Sequence, residues 1–480
     1  MSGDLLARLQ ATWSDQEREW IALQFSLDSV EPSVREAVWA AAIPHWFNGE
    51  LLATLLDKPN FGSGPDFRSL IALSFVEPFP GRGYNVHERT RALLLKQLWQ
   101  HHYEKYRALS RHATDYCAQQ DQSETLWRVE TLYHLLIAEP DEGASQLQNV
   151  GWEWHNPPNF AYSKVEALAR ASREHADAGR LSERGLGWTA FWEARLDSDY
   201  SRFQSAKERF LQIRITSDAD PYLAAEVSLR LGDVHRMLGE YEQARTRYEM
   251  ALPIYQQLGA RTSEANCIRA LGDLYYALIE YEQAQARYEE VLPIYRQISN
   301  RLGEANCIKS LGNVHRMIGN YNQARVRYEE ALTIYRQIGD RLGEANCIWG
   351  LGELHRMLDR YNEAQTRYEE ALSFFRQIRN RQGEMICLQG LGDLDRQRSQ
   401  WTAATQKYQQ ALDYYQSAGI ASNIAVTLWR LGHAAKGAGN VAQAREYYQS
   451  SLDILGQLGI PAAEEVRADL DSLPAESGGS

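Results

Sequence analysis

Histidines, cysteines and paired carboxylates are the side chains of this 480-residue sequence whose spacing could support chemistry. His101 and His102 stand beside Glu104, but neighbouring residues of a helix point about 100° apart, so the two imidazoles cannot bind one ion. The sequence has no HExxH spacing and no local Ser-His-Asp or Cys-His signature. Its nearest glycine-rich loop, FGSGP at 61–65, lacks the Lys and hydroxyl of a phosphate-binding loop. We therefore expect no enzyme activity, cofactor or metal.

The remaining histidines and cysteines of interest recur at one interval. Four of the five cysteines recur every 40 residues, and they are Cys267, Cys307, Cys347 and Cys387. Equivalent positions of stacked units lie too far apart for a disulfide or a shared metal, so we predict small buried residues in a reducing compartment. The histidines at multiples of the same interval are His235, His315 and His355. We predict that they are packing residues or i,i+4 partners.

The repeat that carries these residues runs from Pro221 to about Ile460. Six blocks of 40 residues, starting at 221, 261, 301, 341, 381 and 421, align without insertion or deletion. With Ala305 counted as position 1 of its block, the same residue types recur at positions 4, 7, 8 and 11 and at 17, 20, 24 and 27. These spacings of three and four predict two amphipathic helices per block. Gly at position 8 and a small residue at position 20 let the helices approach closely.

This pattern resembles the tetratricopeptide repeat. The residues of the third block that carry the resemblance are Leu311, Gly312, Tyr321, Ala324, Tyr328 and Ala331. The resemblance implies an all-α fold, a right-handed superhelix (α-solenoid) of stacked helical hairpins with a concave groove. The 40-residue form is similar to the repeats of Pins-type spindle-orientation adaptors and of bacterial signalling ATPases with repeat tails. Those families bind peptides or sensor ligands through their repeats and do no chemistry with them.

The first helices of such a superhelix line its groove, so positions 2, 5, 9 and 12 predict the binding residues. Asn can hydrogen-bond the backbone of an extended peptide, and Arg can clamp a carboxylate with two hydrogen bonds. The alternative is that the acidic residues at position 9 and the cations at position 12 are i,i+3 partners that only satisfy each other. The predicted groove residues are Arg236, Asn266, Asp273, Tyr276, Asn306, Lys309, Asn313, Arg316, Asn346, Trp349, Glu353, Arg356, Asp393 and Arg396.

A second pattern precedes the repeats. From Ser33 to about Trp99 the sequence predicts three helices, a hairpin with strands Phe75–Phe79 and Tyr84–His87, and a final helix, which is a winged helix. The phrase FRSLIALSFVEPFPGRGYNVHERTRALLL resembles the winged-helix domain that follows the nucleotide-binding module in STAND-class signalling ATPases. The resemblance gives His87 the place of a histidine that touches ADP in that family. Glu88 replaces the usual Asp and no ATPase motif is present, so we expect His87 to cap the last helix.

Charge argues against nucleic acid as the partner. The net charge is −12 and the pI is near 5.6, whereas a DNA-binding face must be basic. The third predicted helix offers only Arg68, and the tip of the hairpin only Arg82. A transcriptional regulator with ligand-sensing repeats and a DNA-binding winged helix is nevertheless the alternative function.

We predict four segments: a winged-helix-like domain at 1–100, a helical adaptor at 101–180, the repeats at 181–460 with one degenerate repeat before the six, and a capping helix with a disordered tail at 461–480. Residues 1–20 predict a short amphipathic helix, and the Trp-rich stretch 150–160 a loop or cap. No apolar run approaches 18 residues, and the amino terminus lacks a signal-peptide core, so we expect a cytoplasmic protein. The predicted function is a bacterial interaction scaffold or sensor that binds a protein or peptide, with a STAND-type ATPase as a possible partner in trans.

Overall fold

A computed structural model describes residues 14–156, 161–215 and 219–474. The chain divides into two compact units, one of Met1–Asp197 with Gln212–Asp220 and the other of Ser198–Leu211 with Pro221–Ser480, here called unit 1 and unit 2. The described residues form 24 α-helices and one two-stranded sheet. The four-segment division stays a prediction, and most of the predicted helix at 1–20 lies outside the described residues.

Unit 1 begins with a winged helix. Its elements are α1 (Asp15–Asp28), α2 (Pro32–Ala41), α3 (Gly49–Leu55), a 3-10 turn (Phe61–Ser63), α4 (Pro65–Ile71), β1 (Val76–Phe79), β2 (Gly83–Val86) and α5 (Glu88–His101). The strands pair antiparallel from Val76 opposite Val86 to Phe79 opposite Gly83. The predicted order of three helices, hairpin and helix is confirmed.

Gly83 fixes the hairpin against the rest of the winged helix. Tyr84 exchanges two backbone hydrogen bonds with Phe47, with N–O distances of 2.7 and 2.8 Å. The neighbouring Gly83 has φ +108°, and a Cβ there would lie 2.4 Å from the Phe47 carbonyl oxygen. A residue with a side chain would therefore be excluded both by its backbone conformation and by this contact.

The remaining helices of unit 1 follow without further strands among the described residues. They are α6 (Tyr103–Ala118), α7 (Thr125–Ala138), α8 (Pro140–His155), α9 (Tyr162–Asp177) and α10 (Glu183–Asp199), whose last two residues belong to unit 2. The predicted loop at 150–160 is wrong for 150–155, which form the last turns of α8. Packing on α10 accompanies this helix: Gly151 lets the Trp192 ring approach within 2.2 Å of where a Cβ would be, and Trp152 packs on the same ring at 4.9 Å.

A partly buried network of charges joins four parts of unit 1. His45, before α3, bonds Glu130 of α7 at 2.8 Å through Nδ1 and Glu174 of α9 at 2.9 Å through Nε2. Arg91 of α5 donates to Glu174 at 2.7 Å and to the Tyr133 hydroxyl at 2.8 Å. Because each charge has an opposite partner, their attraction and hydrogen bonds offset the desolvation penalty of partial burial. These bonds satisfy the groups from within, and so the network is structural.

Burial disfavours the protonated imidazole of His45, but the hydrogen bonds and charges of Glu130 and Glu174 outweigh it and raise its pKa to about 9. The stability that a raised pKa contributes is present below the ordinary value of 6.5 and is lost as the pH rises through the folded-state value. We predict that the free energy of unfolding of unit 1 falls between pH 6.5 and about 9, and that His45→Gln removes this slope.

Urea denaturation followed by tryptophan fluorescence measures this, because ten of the thirteen tryptophans precede residue 193. His101→Gln, at an exposed position at the end of α5, is the control and should keep the slope. An unchanged pH dependence in His45→Gln would contradict the role of the network.

Unit 2 contains α11 (Phe203–Gln212), apart from its last residue, and then six helical hairpins. The first helices are α12 (Pro221–Met237), α14 (Arg261–Ala277), α16 (Arg301–Met317), α18 (Arg341–Met357), α20 (Arg381–Gln397) and α22 (Ala421–Gly437). The second helices are α13 (Tyr241–Leu258), α15 (Tyr281–Gln297), α17 (Tyr321–Ile338), α19 (Tyr361–Gln377), α21 (Trp401–Ala418) and α23 (Val441–Leu458), and α24 (Ala463–Asp471) covers the end. The predicted solenoid of paired helices is confirmed.

Each hairpin is held by a Tyr at position 24 that crosses the Gly at position 8. A Cβ on any of these glycines would lie 2.3 to 2.9 Å from the Tyr ring, and the glycines are Gly232, Gly272, Gly312, Gly352, Gly392 and Gly432. The Tyr hydroxyl then bonds the side chain at position 9, as Tyr328 does to Asn313 at 2.7 Å. In the fourth and fifth repeats, Gly350 and Gly390 also bring the Tyr ring of the preceding repeat within 2.8 Å of a Cβ position.

The close contact between the position-8 glycines and the Tyr rings predicts that a larger residue at position 8 destabilises the protein. Gly312→Ala places a Cβ 2.9 Å from the buried Tyr328 ring, and overpacking of this kind costs about 1–3 kcal/mol. Gly456→Ala, in α23 with nothing within 4 Å of its Cβ, should instead be neutral or stabilise the protein by about 0.5–1 kcal/mol, since Ala favours a helix over Gly. Thermal denaturation followed by circular dichroism gives both values. Equal melting temperatures for the two variants would contradict the contact.

Candidate functional site

The position-9 side chains of the predicted groove are bound by the fold itself. Each accepts the hydroxyl of the Tyr at position 24 of its own repeat: Asp273 at 2.7 Å, Asn313 at 2.7 Å, Asp393 at 2.7 Å and Glu353 at a shorter distance. Their carboxylates and amides therefore orient the packed tyrosines. The second carboxylate oxygen of Asp273 pairs with Arg269 and that of Glu353 with Arg356, so these residues serve the structure.

The position-12 cations do not form a row of free charges. Arg316 is only 8% exposed; its Nε donates to the Tyr328 hydroxyl at 3.4 Å, and its guanidinium lies 5.9 Å from the centre of the Trp349 ring. Arg356 pairs with Glu353 at 2.8 Å, as the i,i+3 alternative predicted. Arg236 and Arg396 are half-buried. The row of cations is thus largely part of the packing between repeats.

The Asn side chains at position 2 differ in their hydrogen bonding, because the residue that faces them on the second helix is Tyr in two repeats and Phe in the next. Asn266 accepts the Tyr295 hydroxyl at 2.9 Å, and Asn306 accepts the Tyr335 hydroxyl at 2.7 Å. The equivalent of these tyrosines in the next repeat is Phe375, which has no hydroxyl. Among the described residues, Asn346 consequently has no hydrogen-bond partner.

Position 5 shows the same change along the array. Arg269 pairs with Asp273 at 2.6 Å, and Gln389 donates to the Thr427 hydroxyl at 2.6 Å. Between them, the Lys309 ammonium has no hydrogen bond or ion pair within the described residues, and burial lowers its pKa. The Trp349 Nε1 is buried without a partner in the same part of the structure.

Lys309, Asn346 and Trp349 therefore stand out from the predicted set and are called the central groove cluster. They lie on α16 and α18, two consecutive first helices. Lys309 and the Cys347 thiol, next in sequence to Asn346, lie close enough for each to influence the pKa of the other, so the two helices bring these side chains together. Tyr276, half-buried on α14, stands in the same relation to Arg316. The predicted list contains all three residues of this cluster but did not single them out.

The recurring cysteines are packed inside the repeats. The four position-3 cysteines are free and buried, and the Cys267 and Cys307 thiols donate to the carbonyls of Tyr248 and Tyr288. Burial raises the pKa of Cys267 to about 12, so its thiol is unreactive at neutral pH. No group of three or more His, Cys, Asp or Glu that could hold a metal ion occurs in the described ranges.

Known proteins share the repeat that builds this groove. The tetratricopeptide repeat family matches four overlapping ranges, 223–297, 264–337, 304–377 and 344–417. Residues 223–417 are tetratricopeptide repeats. No curated protein shows significant sequence similarity to the chain.

Two solved structures contain a similar tetratricopeptide-repeat architecture. One is the STAND protein with a tetratricopeptide repeat sensor from Pyrococcus horikoshii, with 14% identity and a TM-score of 0.52 over 97% of this chain and 69% of that one. The other is a Rap protein complexed with competence and sporulation factor, with 13% identity and a TM-score of 0.51 over 70% of this chain and 99% of that one. At these identities the likeness establishes the fold.

In the winged helix, the side chains considered for ligand binding are His87, Arg68 and Arg82. His87 is the N-cap residue of α5, as expected, and its carbonyl accepts the Arg91 N–H at 2.9 Å, but its side chain makes no capping hydrogen bond. Arg68 donates to the Ser63 carbonyl at 3.4 Å, and Arg82 lies 5.5 Å from the centre of the Trp46 ring. The seven-residue helix α4 thus presents no basic face for a DNA groove. No helix among the described residues is long and apolar enough to cross a membrane.

The difference between Tyr335 and Phe375 predicts opposite effects of exchanging them. Gly343 faces Tyr335 as Gly383 faces Phe375, at 2.2 and 2.1 Å from a Cβ position, so the two rings are placed alike. Phe375→Tyr should therefore bond Asn346 and raise stability, whereas Tyr335→Phe should leave Asn306 without its bond. Each change is expected to be about 1 kcal/mol, measured by urea denaturation. Destabilisation by Phe375→Tyr would contradict an accessible, unpartnered Asn346.

Proposed function

We propose that the tetratricopeptide repeats bind an extended, partly acidic peptide in their concave groove, centred on Lys309, Asn346 and Trp349. The observation that supports this is the contrast along the groove: the equivalent polar groups of neighbouring repeats are satisfied internally, as in the Asn306–Tyr335 and Arg269–Asp273 pairs. A polar group left unsatisfied in a buried place costs about 1–3 kcal/mol. A ligand that supplies the missing partners recovers this free energy.

The three side chains suit different parts of a peptide. The Asn346 amide offers both a donor and an acceptor, which is the combination that an extended backbone presents. Lys309 is half-buried, and the burial that lowers its pKa would make a carboxylate a strong partner. Trp349, held beside Arg316, offers an aromatic surface for an apolar side chain. An acidic residue flanked by an apolar one is the sequence that this arrangement favours.

The biological setting we propose is a bacterial signalling system related to the STAND proteins. The fold likeness extends over 97% of this chain to a STAND protein whose repeats are described as a sensor, and the Rap protein of similar fold was solved with competence and sporulation factor bound. The protein would then be a sensor or scaffold, and a STAND-type ATPase module supplied in trans is its proposed partner at unit 1.

A random-peptide library selected on the full-length protein tests the groove even though the natural ligand is unidentified. We predict that the selected peptides contain Asp or Glu, and that Lys309→Gln and Asn346→Ala each weaken their binding about tenfold or more by isothermal titration calorimetry. The matched control is Arg325→Gln on the second helix α17, a cation 59% exposed and paired with Glu329. It should leave the affinity unchanged.

Phe375→Tyr tests the same site without altering a groove side chain. The added hydroxyl should occupy Asn346 and weaken peptide binding while the melting temperature stays equal or rises. The proposed site would be contradicted if the selected peptides bound Phe375→Tyr, Lys309→Gln and the parent protein with equal affinity.

The proposed ATPase partner requires its own experiment. Tagged full-length protein purified from its native host should retain a STAND-type ATPase module, identified by mass spectrometry, and deletion of residues 14–101 should release it. Purification without any ATPase would count against this partner and would leave the peptide-binding proposal untouched.

A further inference from the structure

The first and last repeats of unit 2 touch each other. Gly239 lies in the turn between α12 and α13, and Leu458 is the last residue of α23. A Cβ built on Gly239 would lie 2.5 Å from Leu458 Cδ2 and 3.7 Å from Leu458 Cβ. The leucine side chain therefore packs directly on the α-carbon of a glycine more than 200 residues away in sequence.

Equivalent glycines show that this contact is specific to the first repeat. Gly319 and Gly439 occupy the same turn position in the third and sixth repeats, with φ +78° and +82° beside +79° for Gly239. Nothing lies within 4 Å of a Cβ built on either of them. The close approach at Gly239 thus comes from the path of the solenoid and not from the local turn.

Burial of the apolar residues at the helix ends points to the same region. At the end of the first helix, Leu238 and Leu278 of the first two repeats are half-buried, whereas Ile318 and Leu358 of the third and fourth are 40 and 43% exposed. At the end of the second helix, Leu458 and Ile298 are half-buried, whereas their equivalents Leu258, Ile338 and Ile378 are 36 to 44% exposed. The apolar residues that follow the first helices are thus covered in the first two repeats, where Leu458 packs.

The capping helix α24 adds a second approach between the ends. Burial raises the pKa of Tyr281, in the second repeat, and the charge of Glu465 on α24 contributes to the rise. Glu465 follows Leu458 closely in sequence, so both contacts bring the carboxyl end of unit 2 to its first two repeats.

We propose that the seating of Leu458 on Gly239 is a latch that closes the repeat array on itself and sets the width of its concave groove. With the latch closed, the first helices enclose the groove in one turn of the superhelix. If the peptide-binding function proposed above holds, the latch also controls exchange of the peptide, because a groove closed into a ring releases an extended chain slowly.

A disulfide tests whether the latch closes in solution. Gly239→Cys with Leu458→Cys has a Cβ–Cβ distance of 3.7 Å, within the range for an unstrained disulfide. The native cysteines are buried and should not compete. We expect near-complete cross-linking under mild oxidation of the ligand-free protein, seen as loss of both free thiols by mass spectrometry. The control pair Gly319→Cys with Leu458→Cys should stay reduced; equal cross-linking of the two pairs, or none in the first, would overturn the latch.

A second pair of variants opens the latch without cysteines. Asn tolerates a positive φ, so Gly239→Asn and Gly319→Asn carry the same backbone strain, but only the first forces a side chain into Leu458. We expect a larger radius of gyration by small-angle X-ray scattering for Gly239→Asn alone. Equal radii in the two variants, with both folded by circular dichroism, would overturn the latch.

Exchange of a library-selected peptide then separates the two proposals. In the cross-linked protein its dissociation should be several-fold slower than after reduction, and an unchanged rate would show that the latch does not control the groove. If no peptide binds in either state, the proposed function fails, while the cross-linking and scattering results still decide whether the latch exists.

Discussion

The packing of a tyrosine ring across a glycine is the contact on which unit 2 depends. In every hairpin the Tyr at position 24 occupies space that exists only because position 8 has no side chain, as for Tyr328 and Gly312. A ring so deeply buried must also place its hydroxyl, and position 9 supplies the acceptor one residue after the glycine. Two adjacent residues on one helix therefore fix both the depth and the orientation of one residue on the other.

This constraint explains why the groove has fewer free polar groups than its sequence suggests. The Asp and Asn residues at position 9 suggest a binding site when only the sequence is considered. In the structure, however, these side chains accept hydrogen bonds from the hydroxyls of the position-24 tyrosines. Side chains without an internal hydrogen-bond partner occur where a residue differs from its equivalents in the other repeats. Phe375 is such a departure, since the loss of one hydroxyl frees Asn346 on the facing helix.

Much of the fold could be predicted from the sequence because the relevant signals are local or repeated. The spacing of apolar residues and the 40-residue period predicted the paired helices, and the turn Pro80-Gly81-Arg82-Gly83 predicted the hairpin. The bonds of His45 to Glu130 and Glu174 join residues 85 and 129 positions apart, and no local pattern announces them. The Trp-rich stretch at 150–155 was misassigned because its helix is stabilised by a distant ring, that of Trp192 on Gly151.

The candidate site could be predicted only in part. Its surface followed from the repeat geometry, but the ranking of residues on it required knowing which partner each one already has. The change from Tyr to Phe at 375 is visible in the aligned blocks, and its meaning appears only once Tyr335 is seen to bond Asn306. Lys309 required the opposite kind of knowledge, the lack of a counter-ion in its described surroundings.

The glycines at 350 and 390 have a consequence for cooperativity. They let a tyrosine of one repeat contact the first helix of the next, which ties the third repeat to the fourth and the fourth to the fifth. In a one-dimensional array, the coupling between neighbours decides how many units unfold together. These tyrosine contacts should therefore favour joint unfolding of the third, fourth and fifth repeats, so that backbone amides on either side of each contact become exposed together.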